Sequence, residues 1–341
     1  MVKKILFLIS LIIVIIVCFM NIEITVEATK NSLETFYNFV LPYMLPFIFL
    51  IQIFINLGGG ILIAYLIQKP SSVLLKISGY ETLIILCSIL SGYPSISIYS
   101  ESFYLNKKID KNSAIKLINY ASFPSVFFVL GSLHKFIDNP LVLRLIFLSI
   151  ISSGFLILRS NKNSSIIISK NDLNCSLKQL NFNKVLLAIK SSIFNTSKSI
   201  ILILSSFIFY SILSSIIYVI FPYDLTKILC SFLEFSNGVF TIAKMDILLP
   251  LKYNLVIFCL VFGGMSILSQ IETNLTTLKL DYKDYFLSKI KHAFCACLLF
   301  NILYIFFIIW SFLFPYLYIL EVKPSNSNGV NAASISKTKY A

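Results

Sequence analysis

The sequence predicts an all-α polytopic membrane protein, with about six transmembrane helices and two re-entrant hairpins set in two inverted repeats. Three observations predict it. Of 341 residues, 57% are hydrophobic and only 13% charged, with a mean hydropathy of +0.88, whereas soluble domains carry about a quarter charged residues. Several apolar runs reach the roughly 18 residues that mark a membrane helix. Two further runs are interrupted by glycine or proline at similar places in the two halves. These features exclude a soluble globular domain, a disordered chain and a disulfide scaffold.

The elements follow in chain order. Lys3 and Lys4 precede an apolar run, and 5–22 is read as a membrane anchor rather than a cleaved leader, because no small-x-small site follows it. Residues 1–35 then comprise this anchor and an outer loop. Residues 36–57 form a span kinked by Pro42 and Pro46, which lack backbone donors. Gly58-Gly59-Gly60 ends it with a reversal, and 69–79 reads as an interfacial piece. Residues 82–100 are broken at Ser91-Gly92-Tyr93-Pro94 and read as the first hairpin. Spans are expected at 112–132 and 140–159, then a basic loop at 159–190 and a span at 199–221. An amphipathic piece at 225–244 reads as interfacial, and 253–270, broken at Gly263-Gly264-Met265-Ser266, as the second hairpin. A span at 292–315 and a disordered tail at 322–341 complete the chain. The membrane domain is thus 36–321, with halves 36–132 and 199–315.

Charge sets the orientation. There are 28 Lys+Arg against 15 Asp+Glu, and the loop 159–190 carries Arg159, Lys162, Lys170, Lys178, Lys184 and Lys190 against Asp172 alone. By the positive-inside bias this loop is cytoplasmic. Lys107, Lys108 and Lys111 then fall inside, and parity makes both ends of 82–100 internal, as a hairpin requires. Continuing forward puts Lys279 outside and both termini in the cytoplasm of a bacterial cell. Lys283, Lys289 and Lys291, on that outer side, run against the bias. No basic stripe interleaved with aromatics points to nucleic acid. The seven cysteines form no C-x-x-C pair, and no motif for a metal, a cofactor or an enzyme nucleophile occurs.

A short internal repeat pairs Cys87-x-x-x-Ser91-Gly92 with Cys259-x-x-x-Gly263-Gly264. It also pairs Lys108-Ile109-Asp110 with Lys279-Leu280-Asp281. Broken segments at matching places in two halves surround the midplane site of many secondary transporters. Polar groups inside apolar runs are costly and by default face the interior. Asn119, Ser122 and Gln270 are therefore the expected ligand contacts, the two amides sharing one solvated cavity. Ser91, Gly92, Tyr93, Pro94, Gly263, Gly264 and Ser266 shape broken backbone whose free amides and carbonyls face the solute. Glu234 and Asn237 also stand out, while Glu101, Glu272 and His292 read as interfacial groups.

Four motifs in order carry a resemblance: Leu41-Pro42-x-x-Leu45-Pro46-Phe47, Leu90-Ser91-Gly92-Tyr93-Pro94, Asn119-x-x-Ser122-x-Pro124, and Phe262-Gly263-Gly264-Met265-Ser266 through Gln270. The chain resembles the sporulation integral membrane proteins of the YlbJ type, within the nucleoside-recognition or Gate-domain membrane proteins. That resemblance implies a role in spore cortex formation, in a forespore or mother-cell membrane. The implied partners are a small polar solute and other sporulation envelope proteins. Ser95-Ile96-Ser97 stands where the family has Gly-Ala-Lys, and Leu268 where it has His, so the family's chemistry need not carry over. A scaffold for cortex-building enzymes and a nucleoside or metal carrier outside sporulation are the alternatives.

Overall fold

The computed structural model describes residues 2–159, 168–178 and 181–313. Among these, secondary structure is helical throughout. The expected tail at 322–341 lies outside the described residues, as does part of the basic loop. The helices are α1 Val2–Met20, α2 Ile22–Thr35, α3 Leu41–Asn56, α4 Gly59–Leu74 and α5 Gly79–Ser91. Next come α6 Tyr93–Leu105, α7 Lys111–Tyr120, α8 Pro140–Leu158, α9 Lys170–Lys178 and α10 Phe182–Ile220. The last are α11 Asp224–Cys230, α12 Phe235–Lys244, α13 Leu249–Phe262, α14 Gly264–Thr273 and α15 Tyr282–Leu313. The chain divides into a main body through Asn301 and a second unit from Ile302. In that second unit the described residues are the end of α15, which exposes Phe306 and Trp310.

Five stretches are long and apolar enough to cross a membrane: Ile22–Asn56, Pro140–Leu158, Phe182–Ile220, Leu249–Thr273 and Tyr282–Trp310. The architecture is therefore that of an integral membrane protein. Ile5 to Met20 of α1 are largely exposed, as suits a helix that meets lipid.

Several expectations are corrected. Residues 22–35 are not a loop but α2, joined to α3 through a wider π-turn at Phe36–Val40. Pro42, in the first turn of α3, cannot donate to the carbonyl four residues back, and the wider turn absorbs that mismatch. Residues 112–132 are not a span. Helix α7 stops at Tyr120, residues 121–125 are non-helical, and a π-turn follows at Phe128–Ser132. Pro124 disfavours helical backbone at Phe123, whose freed N–H donates to Ser88 Oγ at 3.0 Å.

Helix α10 begins at Phe182, well before the expected 199, and runs antiparallel to α2 and α3. Near its start Ser191 and Ser192 accept from Asn56 Nδ2 at 3.1 and 2.9 Å, and near its end Val219 lines the same cavity as Ile24. Its buried positions include Ala188, Ser192, Thr196 and Ser199. Small residues at this spacing allow the close backbone approach that packs membrane helices.

Helices α5 and α6 fold back on each other. Tyr80 at the start of α5 lies 5.6 Å from Phe103 near the end of α6, and Lys108 Nζ sits 5.4 Å over the Tyr80 ring. The second break differs. Helices α13 and α14 do not fold back but run on through Gly263 as one apolar stretch, Leu249–Thr273. Residues 69–79 are the end of α4, a turn, and the start of α5, whose Ser78 and Glu81 form a reciprocal capping box. Helices α4 and α5 meet at 102°. The second half of the 225–244 region is not a surface piece, since Phe235, Val239, Phe240 and Ile242 of α12 are buried, whereas α11 exposes Leu225 and Leu229. Phe240 lies 5.5 Å from Phe39, 5.7 Å from Phe128 and 4.7 Å from Phe136, and Phe235 lies 5.1 Å from Tyr93. This aromatic cluster ties the two halves together.

The two lysine-rich loops lie together in the fold, whereas parity separates Lys108 from Lys279. The carboxylate of Glu101, near the end of α6, accepts from the backbone N–H of Thr276, Thr277 and Leu278 at 3.1, 2.7 and 3.2 Å. Helix α7 and the first three turns of α15 also line a common cavity. Lys116 Nζ donates to Leu158 O at 2.6 Å, which brings the end of α8 to the same face.

Candidate functional site

Both predicted breaks exist, and both are sealed by the protein itself. Gly92 adopts φ of 87° between α5 and α6. Ser95 Oγ donates to the carbonyls of Gly92 and Cys87 at 2.6 and 3.1 Å, and the buried Tyr93 hydroxyl donates to Leu260 O. Pro94 falls in the first turn of α6, where its missing donor costs least. At the second break, the N–H groups of Met265 and Ser266 donate to Phe232 O and Leu233 O at 3.2 and 3.0 Å. Gly263 and Gly264 are both left-handed, with φ of 71° and 72°. A Cβ on Gly264 would lie 2.3 Å from Phe232 O, so this position requires glycine for close backbone approach as well as for its φ. The expectation that these amides face a solute is corrected, because the turn before α12 takes them.

The expected ligand residues are not brought together. Asn119 lines a cavity of about 310 Å³ between α7 and α15, and its Oδ1 is buried without a partner. Ser122 lies in the non-helical segment; its carbonyl accepts from Lys289 Nζ at 3.3 Å, and its Oγ is buried without a partner. Gln270 instead donates from Nε2 to Ser206 Oγ at 2.7 Å, bonding α14 to α10. It lines neither this cavity nor the larger one described next. Gln270 holds helices together.

A cavity of about 780 Å³ opens between α2, α10, α11 and α12. Its walls carry Glu27, Asn31, Ser211, Lys227, Glu234 and Asn237. Glu234 is 2% exposed. It caps α12 by accepting from Ser236 N at 3.1 Å and Asn237 N at 2.7 Å. Asn237 Nδ2 in turn donates to Ser211 Oγ at 2.7 Å, and Lys227 Nζ sits 5.2 Å over the Tyr218 ring. Ser32 and Ser231 direct their protons to the carbonyls of Ala28 and Lys227, at 2.7 and 2.8 Å, which leaves their oxygen lone pairs as acceptors. Carboxylates, ammonium groups, amides and hydroxyls thus line one space, a set able to bind a small solute with both donors and acceptors.

Glu234 and Asn237 were legible as polar groups in an apolar stretch. The α2 wall was missed, although Ala28, Asn31, Ser32 and Thr35 fall at the i, i+3, i+4, i+7 spacing of one helical face. Also missed was a buried cation. Lys289 is fully buried, 5.5 Å over the Tyr285 ring, with no carboxylate partner among the described residues. His292 is likewise fully buried rather than interfacial, its Nε2 3.0 Å from Ile150 O. Among the described residues no group of three or more His, Cys, Asp and Glu stands together.

No protein-family model, curated protein or solved structure matches this chain.

Proposed function

We propose that this integral membrane protein binds a small polar solute and passes or gates it across a bacterial membrane, in support of spore cortex formation. One observation carries the solute reading. A polar cavity of about 780 Å³ is built by α2 and α10, which belong to stretches long and apolar enough to span, and by the buried α12. Charged and amide groups so placed are costly unless they serve a pathway or a site. The resemblance in four motifs carries the process. In this reading α5 and α6 form a re-entrant hairpin, and the lysine-rich face, by the positive-inside bias, is cytoplasmic.

The test is the yield of heat-resistant spores from a strain lacking the gene, complemented by the native protein or by Asn237→Leu. Asn237 is half-buried and lines the cavity, so the substitution places an apolar side chain where an amide stood. With the two proteins equally abundant in membranes, rescue by the native form alone is expected. Equal rescue by both would sink the solute reading and leave the scaffold, whereas absence of any defect would remove the link to sporulation.

A further inference from the structure

The cavity between α7 and α15 has a composition unlike the groove of the proposed function, and the inference drawn from it does not rest on that function. Its α7 wall carries Asn112, Lys116 and Asn119 beside Ile115 and Tyr120, and its α15 wall Asp284, Ser288 and Lys291 beside Leu287. Asn119 is 8% exposed, and its Oδ1 lacks a partner. Lys116 is fixed by the carbonyl of Leu158 at 2.6 Å, and Lys291 stands exposed at the rim. The two walls are α7 along its whole length and the first three turns of α15, two helices that start on the lysine-rich face.

Helix α15 extends the site from Leu287, in the cavity wall, to Phe294 and Leu298 beyond it. Leu287, Phe294 and Leu298 are exposed at 45%, 64% and 61%. With Lys291 they recur at the three- and four-residue spacing of one helical stripe. Leu298 lies about 10 Å along the axis from Lys291, at 1.5 Å per residue. A polar, lysine-bearing recess thus opens onto an exposed apolar lane on the same helix face.

We propose that this recess holds the headgroup of an anionic glycerophospholipid from the leaflet that meets the lysine-rich face. Lys116 and Lys291 flank the phosphate. A hydroxyl-bearing head supplies a donor to Asn119 Oδ1 and to the Asp284 carboxylate. The first acyl carbons lie along Phe294 and Leu298. Basic recesses between helices at a cytoplasmic interface have the charge for such lipids, and the apolar lane distinguishes an amphiphile from a free anion.

The experiment is thermal unfolding of the full chain in an uncharged detergent, titrated with phosphatidylglycerol, phosphatidylcholine or inorganic phosphate. Phosphatidylglycerol should raise the midpoint at a concentration well below that needed for phosphatidylcholine, and inorganic phosphate should leave it unmoved. Reversing the rim charge with Lys291→Glu should weaken the phosphatidylglycerol effect about tenfold, while Lys170→Glu, an exposed lysine on α9, should not. Lys291→Gln carries the test if the reversal impairs folding. Equal protection by the two lipids, protection by inorganic phosphate alone, or an unaltered response in the Lys291 variants would each overturn the proposal.

Discussion

At Glu101 a single side chain joins segments 175 residues apart in sequence. Its Oε1 accepts from the N–H and hydroxyl of Thr276, at 3.1 and 2.7 Å, and from those of Thr277, at 2.7 and 2.8 Å. Burial alone would raise its pKa, but these bonds outweigh it and bring the value from 4.5 to about 2. A carboxylate with a depressed folded-state pKa stabilises the protein fully above its unfolded value and loses that contribution as pH falls through its folded value. Glu101→Gln should therefore cost about 1–3 kcal/mol at neutral pH, the range for hydrogen bonds to a charged group. It should also flatten the loss of stability between about pH 4.5 and about pH 2. Thermal unfolding of both proteins at pH 3, 5 and 7 checks this, and parallel pH profiles would refute it. In the sequence Glu101 reads as an interfacial charge, because nothing local reveals a partner so far along the chain. Lys289 and His292 are illegible for the same reason: an amphipathic pattern shows which groups sit near an interface, not which of them a neighbouring segment covers.

Among the elements, the breaks were legible as positions and not as shapes. Gly92 and Gly263 both interrupt apolar runs, yet α5 reverses into α6 while α13 continues into α14. The difference lies in what meets each break. Tyr93 and Ser95 hold the first reversal against α13 and the end of α5, whereas the carbonyls of Phe232 and Leu233 receive the start of α14. Gly264→Ala should accordingly be among the most damaging small substitutions in the chain. It adds a Cβ 2.3 Å from a backbone oxygen at a left-handed φ, a combination worth about 2–4 kcal/mol. At Gly59, by contrast, a Cβ would meet the tip of the Phe54 ring, which can rotate away. Gly59→Ala should leave membrane abundance and unfolding midpoint nearly unchanged, and the paired measurement tests whether backbone approach or mere crowding sets the cost. The segment at 121–125 was the least legible element. It lies between runs that fit a span, and Pro124, with Ser88 accepting the Phe123 N–H, turns it out of helix.

For the whole molecule, the contact between Glu101 and Thr276–Leu278 predicts that Lys108 and Lys279 lie on the same side. Parity with two hairpins separates Lys108 from Lys279, and leaves four lysines on a side where the positive-inside bias disfavours them. Reading Leu249–Thr273 as one crossing removes that conflict, because Lys107, Lys108, Lys111, Lys279 and Lys283 then share the face that holds the end of α8. Asp246, exposed just before α13, falls on the opposite side. Single cysteines at Lys108, Lys279 and Asp246, introduced where the native cysteines are replaced, provide the test. A membrane-impermeant thiol reagent added to intact cells should label only position 246, and should reach 108 and 279 together once the membrane is opened. Labelling of 279 with 246 instead would mean that α14 turns back after Gly263, restoring the symmetric pair of hairpins and separating Glu101 from Thr276–Leu278.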